Sequence, residues 1–106
     1  MPVTSAQTFM IIRIVKMVFR QEETEAFKAL FEERKPLIRN FNGCKRLELW
    51  QDKTNPQIFF TYSWWLSEDH LNAYRSSHFF DNTWTLTKEK FGGPPEAWTV
   101  NCLHEL

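Results

Sequence analysis

The chain switches between segments of period two and segments of helical period. Residues 9–19, FMIIRIVKMVF, split by parity into two mostly apolar faces. Phe9, Ile11, Arg13, Val15, Met17 and Phe19 lie on one; Met10, Ile12, Ile14, Lys16 and Val18 lie on the other. A strand apolar on both sides is a central strand covered on both sides. Residues 22–39 predict a helix, because Phe27, Leu30, Phe31, Leu37 and Ile38 recur at helical spacing and Glu22, Glu23 and Glu25 occupy the dipole-favoured first turn. Pro36 predicts a kink or break near Lys35. Asn40 to Gly43 is a stop, with Gly43 suited to a left-handed backbone. Residues 44–52 alternate as a half-exposed edge strand, and Lys53 to Pro56 form a turn. Residues 57–65 are a second central strand, with Ile58, Phe60, Tyr62 and Trp64 on one face and Phe59, Thr61, Ser63 and Trp65 on the other.

Ser67 caps a predicted helix over 68–77 that places His70, Leu71, Tyr74 and His78 on one face and Glu68, Asp69, Asn72, Arg75 and Ser76 on the other. Residues 79–91 continue as a second helical piece through Phe80, Trp84, Thr87 and Phe91. Gly92-Gly93-Pro94-Pro95 ends it, and 96–103 make a final strand. The order β-α-β-β-α-β predicts an α+β, ferredoxin-like domain whose four-stranded antiparallel sheet carries helices on one face only. The two-sided central strands then leave an apolar sheet face bare. Packing two copies face to face removes it, so the pattern predicts a homodimer.

The length, 106 residues, allows one domain over 9–106, preceded by a small polar segment, 1–8, that reads as a flexible start. Thirteen basic and thirteen acidic side chains cancel, which argues against nucleic acid as a partner. No stretch approaches the roughly 18 apolar residues of a membrane span. Cys44 and Cys102 fit neither a disulfide framework nor a zinc pattern and read as reduced thiols of a cytoplasmic protein. The aromatic share is the outlying number: 16%, with ten Phe and five Trp. So many rings call for a core, an interface or a ring-lined pocket.

Asn42-Gly43-Cys44 entering the second strand, and Trp65-Leu66-Ser67 before a short helix ending in Ser77-His78-Phe79, resemble the antibiotic biosynthesis monooxygenase family of dimeric α+β barrels. The resemblance covers roughly residues 9–103. It implies a pocket between sheet and helices in each subunit. Some members oxidise quinols, anthrones or similar electron-rich phenols with O2 and no flavin or metal; others degrade haem, and others have no demonstrated activity.

Trp65 is the expected pocket wall, with small Thr61 and Ser63 beside it leaving room for a planar ligand; the alternative is that it fills the core. His78 matches the family histidine after the second helix and is the candidate base for a phenol proton. The alternative is a helix-terminal histidine held by the C-terminal dipole. Tyr74 stands where a family histidine often stands and is expected to donate to an oxyanion. His70 is four residues from Tyr74 and within its reach, or else a satisfied core histidine. Phe79 and Trp84 complete the expected ligand-binding set. Arg13 interrupts an apolar strand and needs a partner, either a substrate oxyanion or a carboxylate such as Glu48 across the dimer. A metal site is not expected: His70 and His78 lie about 12 Å apart along a helix. Haem fits less well, because Trp84 stands near the position of the haem-ligand histidine and 9–19 lacks the first-strand Asn of haem-degrading relatives. The leading expectation is therefore a cofactor-free monooxygenase of small aromatic substrates. A non-catalytic ligand-binding dimer is the alternative, with haem binding third.

Overall fold

The computed structural model describes residues 10–106, so the segment 1–8 expected to be flexible lies outside the described residues, as does Phe9. Strand β1 (Ile11–Val18) leads through a 3-10 turn (Gln21–Glu23) into helix α1 (Thr24–Arg39). Strands β2 (Cys44–Gln51) and β3 (Ile58–Trp65) follow, then helices α2 (Glu68–Arg75) and α3 (His78–Lys88) and strand β4 (Glu96–Asn101). The strands form one antiparallel sheet in the order β2-β3-β1-β4. This is the ferredoxin-like α+β arrangement, with β1 and β3 central and β2 at an edge. Among the described residues, no helix is long and apolar enough to cross a membrane.

Three local expectations need correction. Helix α1 does not break at Pro36 but runs on to Arg39. Pro36 lies in the last turn, where it forfeits a single backbone bond, and its carbonyl accepts the Asn40 N–H at 3.0 Å. Leu37, expected in the apolar stripe, is 58% exposed; Phe27 and Ile38 carry the buried side of the helix. Helix α3 begins at His78, one residue early, because the Ser77 hydroxyl caps it by accepting the Phe80 N–H at 3.1 Å. It ends at Lys88, which frees Phe91 to bridge Phe19.

Gly43 has φ +90°, as its place after α1 predicts. A Cβ there would also strike the His70 ring. The glycine thus serves both the turn and the close approach of α2.

The register places Ile11 opposite Trp65 and Val15 opposite Thr61, so odd-numbered β1 residues share a face with odd-numbered β3 residues. That face meets the helices. One apolar cluster gathers Ile11, Ile38, Cys44, Trp65, Leu71 and Tyr74, and a second gathers Met17, Phe19, Phe27 and Phe59. The opposite face carries Ile14, Phe60, Tyr62, Trp64, Trp50 and Trp98 and, among the described residues, no helix. Trp50 stacks on Tyr62 with centroids 4.8 Å apart, yet Trp50 and Trp98 remain 40% and 45% exposed. The Trp64 indole N–H is buried and has no hydrogen-bond partner among the described residues.

Candidate functional site

Along the helix-facing side of β3 the order is Phe59, Thr61, Ser63, Trp65: large, small, small, large. The two apolar clusters fill the large ends. The small middle leaves a cavity of about 230 Å3, opposite which β1 places Arg13 and Val15. Helix α1 supplies Phe31 and Arg34 to its wall, α2 supplies Leu71, Tyr74 and Arg75, and α3 supplies Phe80, Thr83, Trp84 and Thr87. The lining is mainly apolar and aromatic with a few placed polar groups, the usual make-up of a small-molecule site.

Trp65 is 1% exposed and stacks on Tyr74 with centroids 4.9 Å apart and planes inclined by 27°. Its indole N–H donates to the Ser63 hydroxyl at 3.0 Å. The indole is therefore a fixed wall rather than a free donor to a ligand. Tyr74 is also met edge-on by Phe41 and Phe80. Burial, with a smaller contribution from Cys44, pushes its phenol pKa far above the ordinary value, so Tyr74 stays protonated at neutral pH. Its hydroxyl has no hydrogen-bond partner among the described residues and remains a donor.

Within one chain Arg13 and Glu48 lie on opposite faces of the sheet. Glu48 lies on the bare sheet face, where it accepts from Arg46 and from the Trp50 indole, both at 2.8 Å. Arg13 lies on the other face and donates to the Thr99 hydroxyl at 2.9 Å. Burial, and then the nearby charge of Arg75, lower its pKa from the ordinary arginine value.

The structure thus brings Arg13, Thr61, Ser63, Trp65, Tyr74 and Trp84 to one cavity. It does not bring His78, His70 or Phe79 there. His78 is exposed and opens α3 rather than closing α2, so neither the cavity position nor the C-terminal dipole reading describes it. His70 turns back to its own cap: its Nδ1 shares a 2.7 Å hydrogen bond with the Ser67 hydroxyl, beside Gly43. It does not meet Tyr74, whose ring partners are aromatic. Phe79 packs outside the cavity, with the Arg34 guanidinium 5.9 Å from its ring centre. Among the described residues, no three His, Cys, Asp or Glu side chains converge as a metal site would require.

Two arginines escaped the sequence reading. Arg34 continues the stripe Phe27, Leu30, Phe31 at helical spacing, and that spacing was the available signal. Its guanidinium donates to Asn82 at 2.9 Å and Thr83 at 2.7 Å, tying α1 to α3. Arg75 sat on the expected solvent side of α2 but reaches the cavity rim.

The family model described as antibiotic biosynthesis monooxygenase matches residues 10–83. Among the curated proteins, none matches this sequence. Solved structures share the fold at low identity. A conserved protein from Methanosarcina mazei Go1 superposes with a TM-score of 0.85 at 19% identity, covering 92% of this chain and 97% of its own. A candidate antibiotic biosynthesis monooxygenase from Nitrosomonas europaea gives 0.85 at 18% identity, covering 92% and 94%. A candidate from Bordetella bronchiseptica gives 0.79 at 23% identity, covering 90% and 98%. With well over half of its length matched by the family model and its sheet, helices and cavity arranged as described, the chain belongs to the antibiotic biosynthesis monooxygenase family.

Proposed function

We propose that the protein is a cytoplasmic homodimer that oxidises small electron-rich phenols, of the quinol or anthrone type, with O2 and no flavin, haem or metal. The observation that carries this reading is the Trp65–Tyr74 cavity with an arginine in its wall. The substrate ring lies against the aromatic wall. The substrate anion forms through its own acidity, favoured by the Arg13 charge and the Tyr74 donor in a mainly apolar site. The carbanionic carbon passes an electron to O2, and the radical pair joins as a carbon–oxygen bond. Loss of water from the resulting peroxide, with the remaining C–H proton, leaves a carbonyl. One oxygen atom enters the product, the other leaves as water, and all electrons come from the substrate.

Among the described residues no histidine lines the cavity, so His78 is not assigned as the base. The same fact supports the second reading, a dimer that binds such ligands without turning them over. Oxygen uptake on a panel of hydroquinones and anthrones separates the two. The oxygenase reading expects uptake well above the protein-free rate; ligand binding with no added uptake rejects it. The dimer is supported by the aromatic face around Phe60, Tyr62 and Trp64, which no helix covers among the described residues, and by the Trp64 N–H, which has no partner among them.

A further inference from the structure

The charges around the cavity do not balance. Its lining holds three arginines, Arg13, Arg34 and Arg75, against one carboxylate, Glu96. Glu96 is engaged elsewhere, 3.7 Å from the Lys16 amine. Arg34 is accounted for by Asn82, Thr83 and a 3.1 Å pair with Glu33. Arg13 and Arg75 have no ion pair among the described residues, and residues 1–9 contain neither Asp nor Glu. Arg13 is half-buried, holds among the described residues only the neutral Thr99 hydroxyl, and is repelled by Arg75. A desolvated cation without a counter-charge, beside a second cation, is costly unless an anion joins them.

We infer that Arg13 and Arg75, with the aromatic wall of Trp65 and Tyr74, form a binding site for an aromatic carboxylate, so that the ligand is a one- or two-ring phenolic acid. The inference deepens the proposed function and rests on that reading of the cavity as the aromatic ligand site. Guanidinium forks match the planar carboxylate and hold it by charge-assisted hydrogen bonds. A phosphate ester fits less well: α2 ends at Arg75, and the negative end of a helix dipole opposes a dianion. Size narrows the proposed substrates further. A cavity of about 230 Å3 falls below the roughly 300–1,000 Å3 of sites for drug-sized ligands, which favours one- or two-ring quinols over the three-ring anthrones.

The test is calorimetric titration of the full chain with 1-hydroxy-2-naphthoate, 1-naphthol and 1-naphthyl phosphate. The acid is expected to bind about tenfold or more tighter than the neutral phenol at low salt, the gain expected of a hydrogen-bonded charge pair. Arg13→Gln and Arg75→Gln should each remove most of that preference, and Arg75→Gln should do so while leaving naphthol affinity within about twofold. Arg75 is exposed, so its variant reports even if Arg13→Gln folds poorly. Equal binding of acid and phenol, or a preference that survives Arg75→Gln, overturns the carboxylate site and leaves the aromatic cavity standing. Tightest binding by the phosphate ester overturns the assignment of the anion. No binding by any of the three overturns the cavity reading and this inference together.

Discussion

Replacing Ser63 by Ala removes one oxygen atom from a buried pair. Ser63 is 7% exposed and Trp65 is 1% exposed, and the 3.0 Å bond between them is the partner of the Trp65 indole N–H. Without the hydroxyl that N–H loses the one hydrogen bond it makes among the described residues. An unsatisfied buried donor costs about 1–3 kcal/mol, and for a domain of this size 1 kcal/mol shifts Tm by about 4–8 °C. Ser63→Ala is therefore expected to lower Tm by something on the order of 10 °C. The decisive comparison is the same substitution in a Trp65→Phe background. Phe has no N–H to strand, so Ser63→Ala there should cost less than about 0.5 kcal/mol, the scatter of independent sites. Urea denaturation of the four proteins at one concentration gives the coupling. Additivity between the two substitutions would show that the bond does not fix the indole, and the argument for a rigid cavity wall would fail with it.

Gly43→Ala should cost more than about 1–3 kcal/mol, since it adds a strained positive φ to a collision with the His70 ring; a variant as stable as the parent by urea denaturation would contradict the close approach of α2. Trp64→Glu puts a charge into the proposed sheet–sheet contact and should shift the protein toward monomer in sedimentation at micromolar concentration, whereas an undiminished dimer would place the contact elsewhere. Tyr74 carries a raised pKa, so the unfolded chain releases its phenol proton near pH 10 while the folded chain keeps it. Its stabilising contribution is complete below pH 10 and is lost as the pH rises toward the folded pKa, so Tyr74→Phe should flatten the alkaline fall in urea midpoint. An identical fall in both proteins would refute the buried neutral phenol. His78→Ala should oxidise or bind ligand as the parent does, and a loss of about 100-fold in turnover would return His78 to the mechanism as a base.

The strands and their faces were legible because parity is a strict rule: Phe59, Thr61, Ser63 and Trp65 can share a side only one way once the strand is recognised. From that followed the bare aromatic face and the gap beside Trp65. The helices were less legible. Pro36 marks a break in the helix interior but is tolerated in a last turn, and its distance from the true end at Arg39 is not written in its own residue type. The placement of His78 turned on one hydroxyl. Ser77 reads equally as the end of one helix or the cap of the next, and the second choice swings His78 from a cavity position to solvent. Arg75 was hidden because a long side chain at a helix end reaches past the face that its Cα occupies. Arg13 was visible as an anomaly in an apolar strand. What the sequence does not say is that, within one chain, Glu48 is held by Arg46 and Trp50 on the opposite face while Arg13 meets Thr99.

In the proposed function a phenol bound in this cavity reacts with O2 using its own electrons. Turnover under 18O2 by chelator-treated protein, with mass analysis of the product, separates that chemistry from its rivals. One labelled oxygen per product molecule is expected, the other appearing in water, at a rate unchanged by chelation. A product without label, or a reaction that stops when metal is removed, would refute the oxygenase.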